Sequence, residues 1–372
     1  MIYLDYSATT KPEKEVLDTF VKVSNDFPGN PNSLHKLGLE SNRLIDAATE
    51  KIASYLGVKK NEIIYTSGAT ESNNAAIYGV LNKYNERGKE VITTNLEHSS
   101  INENIDYIEK LGYKIIYVNT INGKVDLDDL KNKLNNNTIL VTIASVNSET
   151  GVHQDIDEIG KIIKEYPRCI FHSDITQSVG KVKENLKNVD LASFSAQKFY
   201  GLKGIGCLIK KENIELIPLI KGGKSTTIYR AGTPSPALIA SLSKALHLAH
   251  TNLEKNYDYV KELNSYLRNS LKEIDKVHIN SPENAIPHIL NISIEGIKPE
   301  TVMHALEEKD IYISTKTACS KDNDYSKAVY ELTNNIDYAK HSIRISLSYK
   351  TTKEELNIFI NELKKIIKSL SI

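Results

Sequence analysis

The chain is expected to be an α/β protein, with a large domain built on a mainly parallel, seven-stranded sheet and a smaller α+β domain beside it. Three observations predict this. Between residues 62 and 210, short β-rich runs alternate with amphipathic helical patterns, the arrangement of a parallel sheet covered by helices. From Pro236 onward the alternation stops, and a long helical stretch precedes a few strands. With 372 residues, 40% of them hydrophobic and 25% charged, the chain can bury the cores of two domains.

In order, the expected strands are 62–66, 91–94, 114–118, 139–145, 169–172, 191–195 and 205–210, with clear amphipathic helices at 126–136 and 155–166. The second unit reads as helical to about residue 274, then strands at 277–280 and 287–294, a helix at 299–308 and a strand at 342–347. A final helix starts near residues 351–355, where Thr351 or Thr352 serves as N-cap. The first dozen residues are assigned to this second unit. The division is therefore 15–250 for the large domain and 1–14 with 251–372 for the small one.

Forty-seven Lys and Arg balance 47 Asp and Glu. A net charge of zero argues against a nucleic-acid binder working through a bulk basic field. The three cysteines, Cys169, Cys207 and Cys319, are too few and odd in number for a disulfide framework, and no CxxC pair suggests a zinc site. No leader peptide precedes Tyr3, and no apolar run of about 18 residues is present to span a bilayer. The expectation is a cytoplasmic protein with no membrane partner, no metal and no direct contact with nucleic acid.

In parallel sheets, ligands collect beyond the carboxyl ends of the strands, so the residues placed there were weighed in turn. The segment TSGATESN at 66–73 follows a strand and opens a helix. Its small residues, free N–H groups and hydroxyls suit a phosphate at the positive end of the helix dipole; they equally describe a Ser/Thr-capped helix with no ligand. His98 and Asn147 end two further strands, and each alone reads as a structural histidine and a turn-former. Asp174 ends the apolar run at 169–171. A carboxylate there needs a partner, either a protonated ring nitrogen of a cofactor or a neighbouring Lys or Arg. Lys198 follows the 191–195 strand among aromatic residues. Partial burial lowers a lysine's pKa and makes its amine a nucleophile or base. A phosphate cradle, an acid for a pyridinium nitrogen and a Schiff-base lysine, in order on successive strand ends, are a protein's contribution to pyridoxal-phosphate chemistry.

Beyond these residues, LDYSATT at 4–10, GNPNS at 29–33, EH at 97–98, HSDITQSVGK at 172–181, RAGT at 230–233, AC at 318–319 and SIRISL at 342–347 complete a set of motifs. Together they resemble the cysteine desulfurases, in the class V aminotransferase group of fold-type-I pyridoxal-phosphate transferases. The resemblance runs in family order from residue 3 to about residue 355.

It implies the following roles. Lys198 forms the Schiff base with pyridoxal 5'-phosphate, Asp174 pairs with the pyridinium nitrogen, and Gln177 and Asn147 reach the 3-oxygen region. His98 stacks on the ring and shuttles protons. Ala69, Thr70, Ser195 and Gln197 bind the phosphate, helped by Thr233 from the other subunit of a homodimer. Asn32 and Arg344 hold the substrate α-carboxylate, for which the arginine fork is suited. Cys319 is the nucleophile that takes sulfur from L-cysteine, leaving L-alanine and a persulfide destined for a sulfur-acceptor protein. The sequence around the three cysteines agrees with this. Cys319 stands in a polar stretch, whereas Cys169 and Cys207 stand in apolar runs. The segment 320–340 resembles the long-loop subgroup.

Some positions depart from the family pattern. Gln197 stands where the family has histidine, Ser148 replaces an asparagine, and residues 221–226 lack an acidic residue, with Lys224 in their midst. Thr315, Lys316 and Thr317 replace Ser-Gly-Ser; this variant is similar to a subgroup serving transfer-RNA thiolation rather than general iron–sulfur cluster assembly. The competing readings are a selenocysteine lyase or an ordinary aminotransferase on the same fold, or a non-catalytic scaffold. An ordinary aminotransferase has no need of Cys319.

Overall fold

A computed structural model describes residues 1–223, 225–315 and 325–370. The expected seven strands form one sheet: β1 Ile63–Thr66, β2 Glu90–Thr93, β3 Lys114–Tyr117, β4 Thr138–Thr142, β5 Ile170–Asp174, β6 Leu191–Ser195 and β7 Gly206–Lys210. They lie in the order β1-β7-β6-β5-β4-β2-β3. All neighbours are parallel except β7, which runs antiparallel to both β1 and β6. Successive residues alternate between two apolar clusters. Ile92, Val141, Phe171, Phe194 and Cys207 pack on one face; Val91, Leu140, Ile170, Leu191 and Leu208 pack on the other. Burial on both faces is why these strands read as continuous apolar runs.

The boundaries moved where side-chain chemistry outweighed the pattern. The strand expected at 169–172 continues to Asp174, so the carboxylate is itself the last strand residue. The helical stretch after Pro236 is two helices, Pro236–Thr251 and Leu253–Lys272. They break at Asn252, whose φ of −108° and ψ of 9° leave the helical region while its amide donates to the Leu248 carbonyl at 3.0 Å. The last helix, Lys353–Leu370, is capped as expected: Thr352 Oγ1 accepts from the Glu355 N–H, and Glu355 Oε2 accepts from the Thr352 N–H.

The C-terminal region carries a three-stranded antiparallel sheet: β8 Val277–Ile279, β9 Ile289–Ile294 and β10 Ser342–Ser346. Its core joins Leu290, Ile343 and Ile345 to Leu267, Val302 and Phe359 from the covering helices, and Ile2 and Leu4 belong to the same cluster. The N-terminal arm then crosses to the end of β6. Ile2–Tyr3 pairs parallel with Ile311–Tyr312. Farther along, the Thr10 N–H donates to the Gln197 carbonyl at 2.9 Å and the Glu13 N–H to the Tyr200 carbonyl at 3.0 Å. Thr10 Oγ1 accepts from the Tyr200 N–H at 2.7 Å. Tyr200 sits at φ 65°, a costly conformation for a non-glycine residue, and these bonds hold it there.

Candidate active site

A cavity of about 510 Å³ opens beyond the carboxyl ends of the sheet strands, in the size range of small-molecule sites. Ala69, Thr70, His98, Asn147, Asp174, Gln177, Ser195, Gln197, Lys198 and Arg344 all line it. Two expected residues stand elsewhere: Asn32 lines a separate surface cavity beside Ile228 and Tyr229, and Thr233 lines a small one beside Ser67 and Arg230. Cys319 lies outside the described residues, as do Lys224, Lys316 and Thr317.

At the anion turn, the open question was whether a side chain caps the helix. Gly68 is the N-cap of helix Ala69–Tyr84, and no side chain caps it. The first-turn N–H groups therefore keep their capacity for an outside acceptor. Glycine is required at the facing position of β7, because a Cβ on Gly206 would stand 2.7 Å from the Gly68 Cα. The Ser195 hydroxyl also lies against this turn, 3.1 Å from where a Gly68 Cβ would be.

Asp174 is buried and anchored through both oxygens. The Thr176 N–H donates to Oδ1 at 2.9 Å, and Asn73 Nδ2 donates to Oδ2 at 2.8 Å. Asn73 gives its other amide hydrogen to Ser100 Oγ at 2.9 Å. Ser100 Oγ stands 2.8 Å from His98 Nδ1, to which the Ser100 N–H also donates at 3.1 Å. Nδ1 is thus an acceptor, and the network assigns the ring hydrogen to Nε2. Burial holds the His98 pKa below the usual histidine range, so the neutral, Nε2–H form is the resting one.

Lys198 ends the short helix Ala196–Lys198 after β6, and its Nζ donates to the carbonyls of Ser7 at 2.9 Å and Ala8 at 2.6 Å. Arg344, on β10, donates from Nη2 to Asp5 Oδ1 and from Nη1 to the Ser148 carbonyl, both at 2.9 Å. Its Nε is buried with no partner among the described residues. Asn147 does double duty: it lines the cavity, yet its Oδ1 accepts from the Glu149 and Thr150 N–H groups and the Thr150 hydroxyl, as a turn-former would.

Beneath His98, the Glu97 carboxyl ties two strand ends together. Oε1 accepts from the Thr94 hydroxyl at 2.8 Å, and the Ala144 N–H reaches both oxygens. Burial pushes this carboxyl up to about 8. The folded chain therefore keeps a proton that the unfolded chain releases, so this contribution to stability is complete below the unfolded value. It is lost as pH rises through about 8. Glu97→Gln mimics the protonated form, and its melting temperature is expected to fall less than that of the wild type between about pH 5 and about pH 9. Parallel thermal melts of the two proteins check this; equal falls would contradict it.

Asp5, Asn73, Ser100 and Glu97 carry this geometry, and sequence reasoning assigned none of them a role. Asp5, Asn73 and Glu97 lie inside quoted motifs, but only the fold reveals their partners. The cavity fits pyridoxal phosphate on its own terms. It offers an anchored carboxylate, an amine and an uncapped helix start, while the Thr176 hydroxyl is buried with no partner among the described residues.

Comparison with known proteins agrees. The aminotransferase class-V family model matches residues 2–359. Cysteine desulfurase IscS of Dictyoglomus turgidum is 40% identical over 375 residues, covering 99% of this chain and 95% of that protein. A solved structure described as a NifS-like protein superposes with a TM-score of 0.93 at 32% identity, covering 99% of both chains. SspA, solved in complex with cysteine, superposes with a TM-score of 0.83 at 29% identity over 95% of this chain and 100% of that one. The likeness runs through the sheet, the arm and the C-terminal unit alike, so what is shared is a whole architecture rather than a local motif, and the chain belongs to the class-V aminotransferase family of pyridoxal-phosphate enzymes.

Proposed function

We propose that this chain is a cysteine desulfurase that converts L-cysteine to L-alanine and holds the sulfur as a persulfide on Cys319. The observation that carries this reading is that an amine, a carboxylate, an imidazole and a guanidinium line one cavity in a chain whose relatives bear that name and include one solved with cysteine.

Pyridoxal phosphate, when bound, supplies an electron sink for a carbanion at the amino acid Cα. The first turn of helix Ala69–Tyr84, with Thr70, Ser195 and Gln197, would hold its phosphate, and Asp174 would accept a hydrogen bond from its ring nitrogen. Arg344, with Asn32, orients the substrate carboxylate. The Lys198 amine takes the Cα proton, and the Ser7 and Ala8 carbonyls stand ready to accept from the ammonium so formed. His98 places its Nε2–H as a proton donor at the cavity. The Cys319 thiolate attacks the substrate sulfur and the carbon–sulfur bond breaks. Protonation at that carbon and return of a proton to Cα by the Lys198 ammonium complete L-alanine, and the transferred sulfur remains on Cys319.

In this reading residues 15–250 bind the cofactor, while 1–14 and 251–372 form the domain that carries the cysteine; their separate apolar clusters support the division. The enzyme works in the cytoplasm as a homodimer, with Thr233 reaching the partner's phosphate site. Its absence from its own chain's main cavity supports that role. The persulfide passes to an acceptor protein serving transfer-RNA thiolation or iron–sulfur cluster assembly.

Incubation with L-cysteine followed by mass analysis tests the reading. A gain of one sulfur atom on Cys319, with release of alanine, is expected. Cys319→Ala should abolish both, and alanine formation persisting in that variant would overturn the persulfide mechanism.

A further inference from the structure

Behind the turn that follows β5 lies a cationic side chain that the reaction above does not use. Lys181 is only 8% exposed, and burial, reinforced by the nearby charges of Lys198 and Arg344, pulls its amine down to about 7. An amine taken out of water is costly unless its hydrogen bonds are made. Lys181 Nζ donates to Gln177 Oε1 at 2.6 Å, and Gln177 Nε2 donates to the Ser7 carbonyl at 3.0 Å. That same carbonyl accepts from Lys198.

The direction of this chain of bonds is forced. A backbone carbonyl offers only acceptor lone pairs, so the Gln177 amide nitrogen faces Ser7 and its oxygen faces Lys181, whose amine donates whether charged or neutral. Turning the Gln177 amide over would set its oxygen against the Ser7 oxygen, losing that bond, and would take from the Lys181 N–H its acceptor. Gln177 lines the cavity, and its Nε2 carries a second hydrogen beyond the one given to Ser7. With Lys181 in place, the side of Gln177 available to a bound molecule is a donor and never an oxygen.

We propose that Lys181 is a positioning residue of the cofactor pocket, holding the Gln177 oxygen so that the Gln177 amide nitrogen donates to an anionic ring oxygen of bound pyridoxal phosphate. This rests on the reading of the cavity given above. Without Lys181 the Ser7 carbonyl alone holds the amide, and the flipped orientation is reached more easily. Lys181 itself touches neither substrate nor cofactor.

The test is titration of pyridoxal phosphate into the full chain freed of cofactor, read by visible absorbance. Lys181→Met is expected to raise the dissociation constant about tenfold, the factor that one hydrogen bond to a charged group is worth. Gln177→Leu should raise it by a similar factor, and the double variant should bind no more weakly than Gln177→Leu alone. The melting temperature of the cofactor-free Lys181→Met chain is expected to hold or rise, because an apolar side chain of similar length replaces a buried amine. Where Lys181→Met does not fold, Lys181→Leu takes its place. Wild-type affinity in the Lys181 variant, or losses that multiply in the double variant, would overturn the proposal. Failure of the wild-type chain itself to bind the cofactor would instead remove the functional reading on which it rests.

Discussion

Lys198→Ala is expected to lower turnover of L-cysteine by a factor of about 10⁴ or more while leaving the chain folded. In the proposed mechanism the variant loses both the base for the Cα proton and the tether of the cofactor. The structural cost is local. The Ser7 and Ala8 carbonyls lose a donor, worth roughly 1 kcal/mol each, but the arm stays tied through Thr10, Gln197, Glu13 and Tyr200. Lys198→Arg separates the two roles. It keeps a cation beside the carbonyls, yet a guanidinium stays protonated and cannot act as a base at neutral pH. It is expected to be as inactive as the alanine variant and more stable. Alanine release measured alongside thermal melts checks both, and turnover of Lys198→Ala within tenfold of the wild type would contradict the assignment.

Arg344→Ala is expected to lower kcat/KM for L-cysteine by about 10²–10⁴, mainly through KM, the equivalent of the 3–5 kcal/mol lost when one partner of a buried ion pair is removed. The loss has two parts. Arg344 and Asp5 are 4% and 19% exposed, so the alanine variant forfeits the carboxylate receptor and also leaves Asp5 uncompensated at the place where a second carboxylate must bind. Adding Asp5→Asn should restore stability without restoring affinity. Arg344→Lys should rescue poorly, since a single ammonium cannot reproduce bonds to Asp5, the Ser148 carbonyl and a substrate at once. Steady-state kinetics on the three variants check this. An unchanged KM in Arg344→Ala would place the substrate carboxylate elsewhere.

The sheet was legible because six of its seven strands are buried along their length, the edge strand β3 being the exception, and such runs between polar helix patterns leave few other folds. The strand-end residues were legible as residue types: Asp174 and Lys198 stand out because charge at the end of an apolar run is expensive. Their partners were not. Asn73 reaches Asp174 across 101 positions and Asp5 reaches Arg344 across 339, and no local pattern encodes such a pairing. The helix break at Asn252 was missed for the opposite reason. It depends on a single side chain bonding the backbone carbonyl of Leu248 inside an otherwise continuous pattern.

The N-terminal arm gives the protein an order of assembly. The Leu4 carbonyl accepts from the Ser346 N–H at 2.7 Å, so an early segment is fastened by one translated far later. Domains generally fold as units during synthesis, and the sheet up to β7 can close long before β10 leaves the ribosome. The carbonyls that receive the Lys198 amine belong to the arm; its bonds to Gln177, Gln197 and Tyr200 are available once β6 is made, and those to Ser346 are added only with β10. Contacts of such sequence separation form slowly, so a nascent chain paused before Ser342 holds a sheet and an anion turn beside an arm fastened at one end only. Competence for cofactor chemistry is then a late event in biosynthesis, gated by the arrival of the strand that carries Arg344.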